Sequence, residues 1–133
     1  MKKAPQVCLI DDDASVRKSV VRLLRVAGYQ VEAYTSGEEF FESDQIAEFG
    51  CIVLDLRLPG MCGESFQERL RTVEKALPII VITGHGDGRI RANMMEKGAV
   101  AFLDKPFHDQ DLLDAIEAAL ERNRREVKER SEA

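Results

Sequence analysis

The stretch VCLIDDDASVRKSVVRLLRVAGYQVEAY, residues 7–34, contains a short apolar run, a helical pattern and a second short run. Residues 7–10 are continuously apolar, as in a strand buried on both faces of a sheet. Apolar positions then recur with a helical period along residues 16–27, and Gly28 predicts the end of that helix. Residues 30–34 alternate between polar and apolar, which is typical of an edge strand. The stretch therefore predicts a β–α–β unit.

The same unit recurs along the chain. Three further apolar runs, at residues 51–54, 79–82 and 100–103, predict strands buried on both faces. The second helical pattern begins with a capping box at residues 36–39, and the third has an apolar stripe at residues 66–77. The fourth ends at Gly98, and the fifth covers residues 112–120. Five β–α units predict an α/β fold with an open, doubly wound parallel sheet, because they are too few for an eight-fold barrel.

Length and composition predict a single domain and disfavour nucleic acid and membranes as its direct partners. The 133 residues are 44% apolar and carry a formal charge of −5, which favours one packed core and disfavours direct binding of nucleic acid. The longest stretch without a charged residue, 76–86, contains one Pro and two Gly, so we expect no membrane span. Of three cysteines without a CxxC pair, Cys8 and Cys51 lie in apolar runs, which predicts buried free thiols there and a reducing compartment, the cytoplasm. We expect a domain over residues 1–120 and, at 121–133, a charged extension of the last helix or the start of a linker.

Polar residues follow all five predicted strands; those after the second strand, Thr35 and Ser36, are typical of a helix cap, which leaves the residues after the other four strands. In an open α/β sheet, ligands bind beyond the carboxyl ends of the strands, so these residues are the candidate site. They are Asp11, Asp12 and Asp13 after the first strand, Asp55 after the third, Thr83 after the fourth and Lys105 after the fifth. An aspartate at the start of a helix is typically its N-cap, which is the role we predict for Asp13.

This set of side chains favours phosphoryl chemistry with a metal ion. Converging carboxylates repel one another and need a compensating cation, and oxygen ligands with open coordination suit Mg²⁺. Lys105 and Thr83 supply a point charge and a hydroxyl donor for a phosphoryl oxygen. A carboxylate beside Mg²⁺ is also a nucleophile towards phosphorus.

Four motifs at these strand ends resemble the receiver domain of two-component response regulators, and most of all its FixJ-like branch. The resemblance covers residues 5 to about 120, in the family's order and spacing. The motifs are LIDD at residues 9–12, VLDLRLPGMCG at 53–63, ITGHGD at 82–87 and KPF at 105–107.

The resemblance implies the flavodoxin-like strand order 2-1-3-4-5 and specific roles for the site residues. Asp55 would accept a phosphoryl group from a sensor histidine kinase. Mg²⁺ would be bound by Asp11, Asp12, Asp55 and the main-chain carbonyl of Arg57. Thr83 and Lys105 would contact the phosphoryl group.

Further implications concern the switch and the output. Phe102 matches the aromatic switch position, and the Lys105–Pro106 peptide would be cis. The domain would be a phosphoacceptor rather than an enzyme, modified also by small phosphodonors and losing the group by itself. Its output would be transcription, with a homodimer formed on phosphorylation. Gly88, Arg89, Arg91 and Ala101 depart from the family's common pattern on the face used for that pairing.

Two alternatives remain open at this point. The DxD of residues 11–13 also fits a haloacid-dehalogenase-type phosphatase, in which Asp11 is the nucleophile and Asp13 the general acid. In that class Asp55 would have no role. A receiver-like interaction module that takes no phosphoryl group is the second alternative.

Overall fold

The computed structural model describes residues 6–73, 77–84 and 88–132, and in these ranges strands and helices alternate. The strands are β1 (Gln6–Ile10), β2 (Gln30–Tyr34), β3 (Cys51–Asp55), β4 (Ile79–Thr83) and β5 (Ala101–Asp104). The helices are α1 (Ala14–Val26), α2 (Gly37–Phe41), α3 (Gly63–Leu70), α4 (Gly88–Glu96) and α5 (Asp109–Glu132). A 3₁₀ turn at Ile46–Glu48 precedes β3 and was not predicted.

All five strands lie in one parallel sheet in the order β2-β1-β3-β4-β5, which confirms the predicted fold and topology. β3 is central, with β1 on one side and β4 on the other. Gly28 and Gly98 follow α1 and α4 with φ of +97° and +108°, the left-handed conformation that favours glycine after a helix. None of the helices in the described ranges combines the length and apolar composition that a membrane crossing requires.

Helices cover both faces of the sheet. One face packs α1 and α5 against the strands through Val20, Leu24, Leu112 and Ile116. On the other face, α2, α3 and α4 pack against the strands through buried phenylalanine side chains and Met94. Every residue of β3 and β4 is buried, and Cys8 and Cys51 are buried free thiols, as predicted.

β5 differs from the prediction of a strand buried on both faces. Only Phe102 of its four residues is buried. Its single neighbour is β4, because β5 forms the second edge of the sheet. The apolar run at residues 100–103 therefore covers a half-buried strand.

α3 is also shorter than its apolar stripe indicates. The helix ends at Leu70, residues 71–73 form a turn, and residues 74–76 lie outside the described ranges. The Thr72 hydroxyl donates to the Arg69 carbonyl at 2.7 Å, a local bond that competes with helical pairing. Leu77 is buried in the core but belongs to the segment that enters β4.

The predicted capping box at α2 forms in part. Ser36 Oγ accepts from the Glu39 amide at 3.1 Å, as predicted. The Glu39 carboxylate accepts from the Thr35 hydroxyl at 2.8 Å rather than from the Ser36 amide.

The helix α5 extends through the charged residues to Glu132. Arg122 donates to the Gly98 carbonyl at 2.9 Å, and Asn123 is 9% exposed. Glu121 pairs with Arg125 at 3.4 Å, an i, i+4 pair along the helix. The domain boundary at residue 120 stays a prediction.

Candidate functional site

The carboxyl ends of β1, β3, β4 and β5 bring the predicted site residues to one edge of the sheet. Asp11 and Asp12 follow β1, Asp55 ends β3, and Thr83 ends β4. Asp11 is 0% exposed and Asp12 is exposed, because successive residues in an extended segment point to opposite sides. One aspartate of the pair therefore faces the interior and the other faces solvent.

Three carboxylates of this edge form a cluster suited to a metal ion. Ligand oxygens of Asp11, Asp12 and Asp55 lie within 4.8 Å of one another. The donor set is all oxygen, and exposed Asp12 leaves one side open to water or to a ligand oxygen. Both properties fit Mg²⁺, which binds a few carboxylates and keeps several waters.

Lys105 connects the two buried carboxylates. Its Nζ lies 3.1 Å from Asp11 Oδ2 and 3.0 Å from Asp55 Oδ2. Burial alone would lower the pKa of Lys105, but its hydrogen bonds to Asp55 and Asp11 outweigh burial and raise that pKa. Lys105 is therefore charged at neutral pH and offsets part of the repulsion between the carboxylates.

Asp11 is buried at an electrostatic cost. Burial and the charge of Asp55 raise the pKa of Asp11, whereas the Asp13 amide and Lys105 lower it. The net shift is upward, so the charged form of Asp11 is less favoured in this site than in water. A cation bound at the cluster would remove this cost.

Backbone amides fix the orientation of the carboxylates. The Arg57 amide donates to Asp55 Oδ1 at 2.9 Å, and the Asp13 amide donates to Asp11 Oδ1 at 2.9 Å. The Asp13 side chain accepts from the amides of Ser15 and Val16, which confirms Asp13 as the N-cap of α1. The Arg57 side chain is exposed, and the role of its carbonyl as a metal ligand stays a prediction.

Thr83 lies on the opposite side of Asp55 from the aspartates of β1. It is 0% exposed, and its carbonyl accepts from the Lys105 amide at 2.7 Å. The Lys105–Pro106 peptide is cis, as the resemblance implied. Gly84 is exposed, and a Cβ there would meet no atom of the described residues within 4 Å. The rest of the motif after Gly84, at residues 85–87, lies outside the described ranges.

Phe102 lies in β5 opposite Val81 and is 8% exposed. The Arg91 guanidinium of α4 lies 5.9 Å from the centre of its ring, a cation–π contact. The sequence analysis noted Arg91 only as a departure from the family pattern. No local signal pairs residues eleven positions apart on a helix and a strand, so this contact was missed.

Two hydrogen bonds that hold α4 against α3 were also missed. Gln67 is buried and donates to the Met94 carbonyl at 3.0 Å, and Asn93 donates to Glu64 at 2.7 Å. A glutamine within an apolar stripe is the one sequence signal that points to such a bond, since a buried amide needs a partner.

This strand order, with an acidic cluster and a bridging lysine at its carboxyl edge, defines a flavodoxin-like receiver domain. Residues 7–117 match the family model described as "Response regulator receiver domain". The chain belongs to that family.

Relatives agree with the FixJ-like resemblance. The chain is 45% identical to Nodulation protein W of Bradyrhizobium diazoefficiens over 119 residues, which cover 90% of the chain and 52% of that protein. It is 39% identical to Transcriptional regulatory protein FixJ of the same organism over 114 residues, 86% of the chain and 56% of that protein. The chain thus spans about half the length of these relatives.

Solved structures show the same fold. The response regulator StyR superposes with a TM-score of 0.87 at 43% identity, covering 98% of this chain and 67% of StyR. Full-length FixJ from B. japonicum superposes with a TM-score of 0.86 at 35% identity, covering 96% of this chain and 63% of that protein.

Proposed function

We propose that Asp55 accepts a phosphoryl group from the phosphohistidine of a sensor histidine kinase, in a reaction that requires Mg²⁺. The observation that carries this proposal is the cluster of Asp11, Asp12 and Asp55 with the Lys105 ammonium 3.0 Å from Asp55. It supplies a nucleophile, a cation site and a fixed positive charge within one edge of the sheet.

Topology favours Asp55 over Asp11 as the nucleophile. Asp55 ends the central strand, so the aspartates that follow β1 lie on one side of it and Thr83 of β4 on the other. A phosphoryl group on Asp55 therefore lies between the cation site and a hydroxyl donor. Asp11 follows β1, whose other neighbour is the edge strand β2, and the Thr35 hydroxyl after β2 donates to Glu39 at 2.8 Å; Asp11 is also fully buried.

The transfer is a displacement at phosphorus. An Asp55 carboxylate oxygen forms the new O–P bond as the P–N bond to the histidine ring breaks, and the ring nitrogen keeps the bonding electrons. Asp11, Asp12, Asp55 and the Arg57 carbonyl would hold Mg²⁺, which supplies charge neutralisation at the phosphoryl oxygens when bound. Lys105 stabilises the charge on the transferring group from a preorganised position. With a small acyl phosphate the bond that breaks is P–O, and the donor's carboxylate leaves with the bonding electrons. Water later attacks the phosphorus, which releases inorganic phosphate and restores the Asp55 carboxylate.

The consequence of phosphorylation is a change on the face formed by α4, β5 and α5. The phosphoryl group adds charge and acceptor oxygens at the edge, and Thr83 is the neighbouring hydroxyl donor. Movement of Thr83 towards that group leaves space that Phe102 occupies more fully. The altered face then pairs with a second copy, and the protein that contains this domain controls transcription. We place the domain in the cytoplasm, as a phosphoacceptor with no nucleic-acid contact of its own.

Intact-mass measurement tests this proposal. We expect one phosphoryl adduct after incubation with an acyl phosphate and Mg²⁺, none when Mg²⁺ is chelated, and none in Asp55→Asn. Asp44→Asn changes an exposed aspartate away from the cluster and should leave the adduct intact.

The same experiment separates the alternatives. An adduct that persists in Asp55→Asn and disappears in Asp11→Asn would instead support the haloacid-dehalogenase-type reaction. A chain that takes no phosphoryl group from either an acyl phosphate or a histidine kinase would be a receiver-like interaction module.

A further inference from the structure

A cavity of about 100 Å³ lies at the amino ends of the strands, at the edge of the sheet opposite the acidic cluster. It is bounded by the end of α3, the segment that enters β4, the end of α4 and the outer part of α5. Its buried lining is mostly apolar and includes Leu70, Leu77 and Ile79. One water needs about 10–15 Å³, so the cavity has room for several waters or for a small organic molecule.

The rim of this cavity is basic. Arg71, Lys97 and Arg122 are exposed and line it. Among the described residues that line it, only Glu126 is acidic, and its carboxylate lies 3.3 Å from Arg122 Nε. Neither Arg71 nor Lys97 forms an ion pair with a described residue. The lining is therefore net positive in a chain whose formal charge is −5.

Main-chain carbonyls just after α4 hold both guanidinium groups in place. Arg71 donates to the Lys97 carbonyl at 3.1 Å, and Arg122 donates to the Gly98 carbonyl at 2.9 Å. Because these carbonyls belong to consecutive residues, two like charges are brought close together. Carbonyls at the end of a helix repel an anion, but the guanidinium groups already bind two of them. An anion between Arg71 and Arg122 would reduce their repulsion and meet donors whose orientation is already fixed.

We propose that this cavity binds a small carboxylate that has a short apolar body, for which butanoate is the probe. Arg71 uses one of its five N–H donors in the described hydrogen bonds and Arg122 uses two, so both have donors left for the carboxylate. Their forked geometry matches a carboxylate group. The apolar body of the ligand would cover Leu70 and Leu77 in the buried part of the cavity.

The two halves of the lining select this class of ligand over simpler ones. An inorganic anion would pair with the guanidinium groups but leave the apolar half of the cavity in contact with water. A neutral apolar molecule would cover that half but leave the two guanidinium groups without a shared counter-charge. A carboxylate with an apolar body satisfies both halves, and the volume of the cavity limits that body to a few carbon atoms.

This site is separate from the phosphoacceptor site proposed above. It lies beyond the amino end of β4, whereas the acidic cluster lies at the carboxyl ends of the strands, and the two share no residue. Butanoate should therefore bind equally well to Asp55→Asn, and Arg71→Ala should still take a phosphoryl group. Failure of this proposal and failure of the phosphoacceptor proposal are thus distinguishable.

NMR titration of the unphosphorylated chain with sodium butanoate tests the site, with sodium chloride at the same ionic strength as the reference. We expect saturable shifts of the Nε–H signals of Arg71 and Arg122 and of the Gly98 amide, with a Kd on the order of 1 mM. Acetate should bind about tenfold more weakly, because it buries two fewer methylene groups. Inorganic phosphate, which has no apolar body, should also bind more weakly than butanoate.

Arg71→Ala should weaken butanoate binding by about tenfold, since the carboxylate loses a charged donor. Lys97→Glu reverses a charge at the rim but leaves every described hydrogen bond in place, so it should weaken binding even if Arg71→Ala disturbs the end of α4. Arg25→Ala removes an exposed arginine of α1, away from the cavity, and should leave binding unchanged.

Four results would overturn the proposal. The first is the absence of saturable shifts up to about 50 mM butanoate. The second is equal affinity for acetate and butanoate, which would mean that the apolar lining contributes nothing. The third is tighter binding of inorganic phosphate than of butanoate. The fourth is butanoate binding that neither Arg71→Ala nor Lys97→Glu weakens.

Discussion

At the carboxyl edge of the sheet, Asp11 and Asp55 are 0% and 7% exposed and share the ammonium of Lys105. On α1, Lys18, Arg22 and Arg25 lie in solvent without an ion pair to any described residue. A buried charge needs compensation inside the folded chain, whereas water solvates an exposed charge. Charge at the first region thus determines chemistry and stability, and charge at the second is available for recognition.

Adding Mg²⁺ should change the free energy of unfolding most, because the ion compensates the charge of the buried carboxylates directly. At free Mg²⁺ of about 100 times its Kd, the free energy of unfolding should rise by about 2.7 kcal/mol. Urea unfolding with and without Mg²⁺ measures this gain. Asp12→Ala should remove it, and Asp44→Ala should retain it. An equal gain in Asp12→Ala would show that the ion binds elsewhere.

The second-largest effect should come from loss of the Lys105 ammonium, which Asp11 and Asp55 share. Lys105→Ala should lower the free energy of unfolding by about 2 kcal/mol, since two buried carboxylates lose their common partner. The pKa of Lys105 is raised above 10.5, so this contribution is present in full at neutral pH and is lost as the pH rises through the folded-state pKa. Urea unfolding at neutral pH measures the loss, and Lys97→Ala, at an exposed lysine, should cost far less.

The same variant also tests how the site connects to β5. Lys105→Ala should still fold and bind Mg²⁺, but phosphorylation should no longer change the NMR signals of Phe102. Normal changes at Phe102 in this variant would show that Lys105 is only a structural ion-pair partner.

Asp13 sharpens the comparison because it is adjacent to the cluster but outside it. Asp13→Ala should lower the free energy of unfolding by about 1 kcal/mol through loss of the α1 N-cap. The gain in stability with Mg²⁺ should remain, since Asp13 supplies no ligand to the cluster. Loss of that gain in Asp13→Ala would place Asp13 among the metal ligands.

The smallest effect is expected at the exposed basic residues of α1. Lys18→Ala should change the free energy of unfolding of the monomer by less than about 0.5 kcal/mol, since the side chain is exposed and unpaired among the described residues. Urea unfolding at low protein concentration measures it. A loss as large as that of Lys105→Ala would mean that exposed and buried charges contribute alike to this fold.

Most of the fold was predictable because local patterns and global topology agree. The continuous apolar runs of β3 and β4 predicted buried strands, and Gly28 and Gly98 marked the ends of α1 and α4. The stripe through Leu77 misled the prediction of α3, since the helix ends at Leu70, where Thr72 donates to the Arg69 carbonyl, while Leu77 still reaches the core. β5 was misjudged because an apolar run does not show whether a strand has one neighbour or two.

The sequence alone determined the residue types of the site and their place after the strands, because parallel strands bring their carboxyl ends to one edge whatever the intervening helices are. Only the tertiary structure decided which of those residues are buried and which of them contact one another. It buried Asp11 and exposed Asp12, placed Lys105 between Asp11 and Asp55, and put Arg91 beside Phe102. It also placed the basic α1 next to the acidic start of α5. These relations depend on distances between side chains far apart in the chain, which packing sets and local sequence does not.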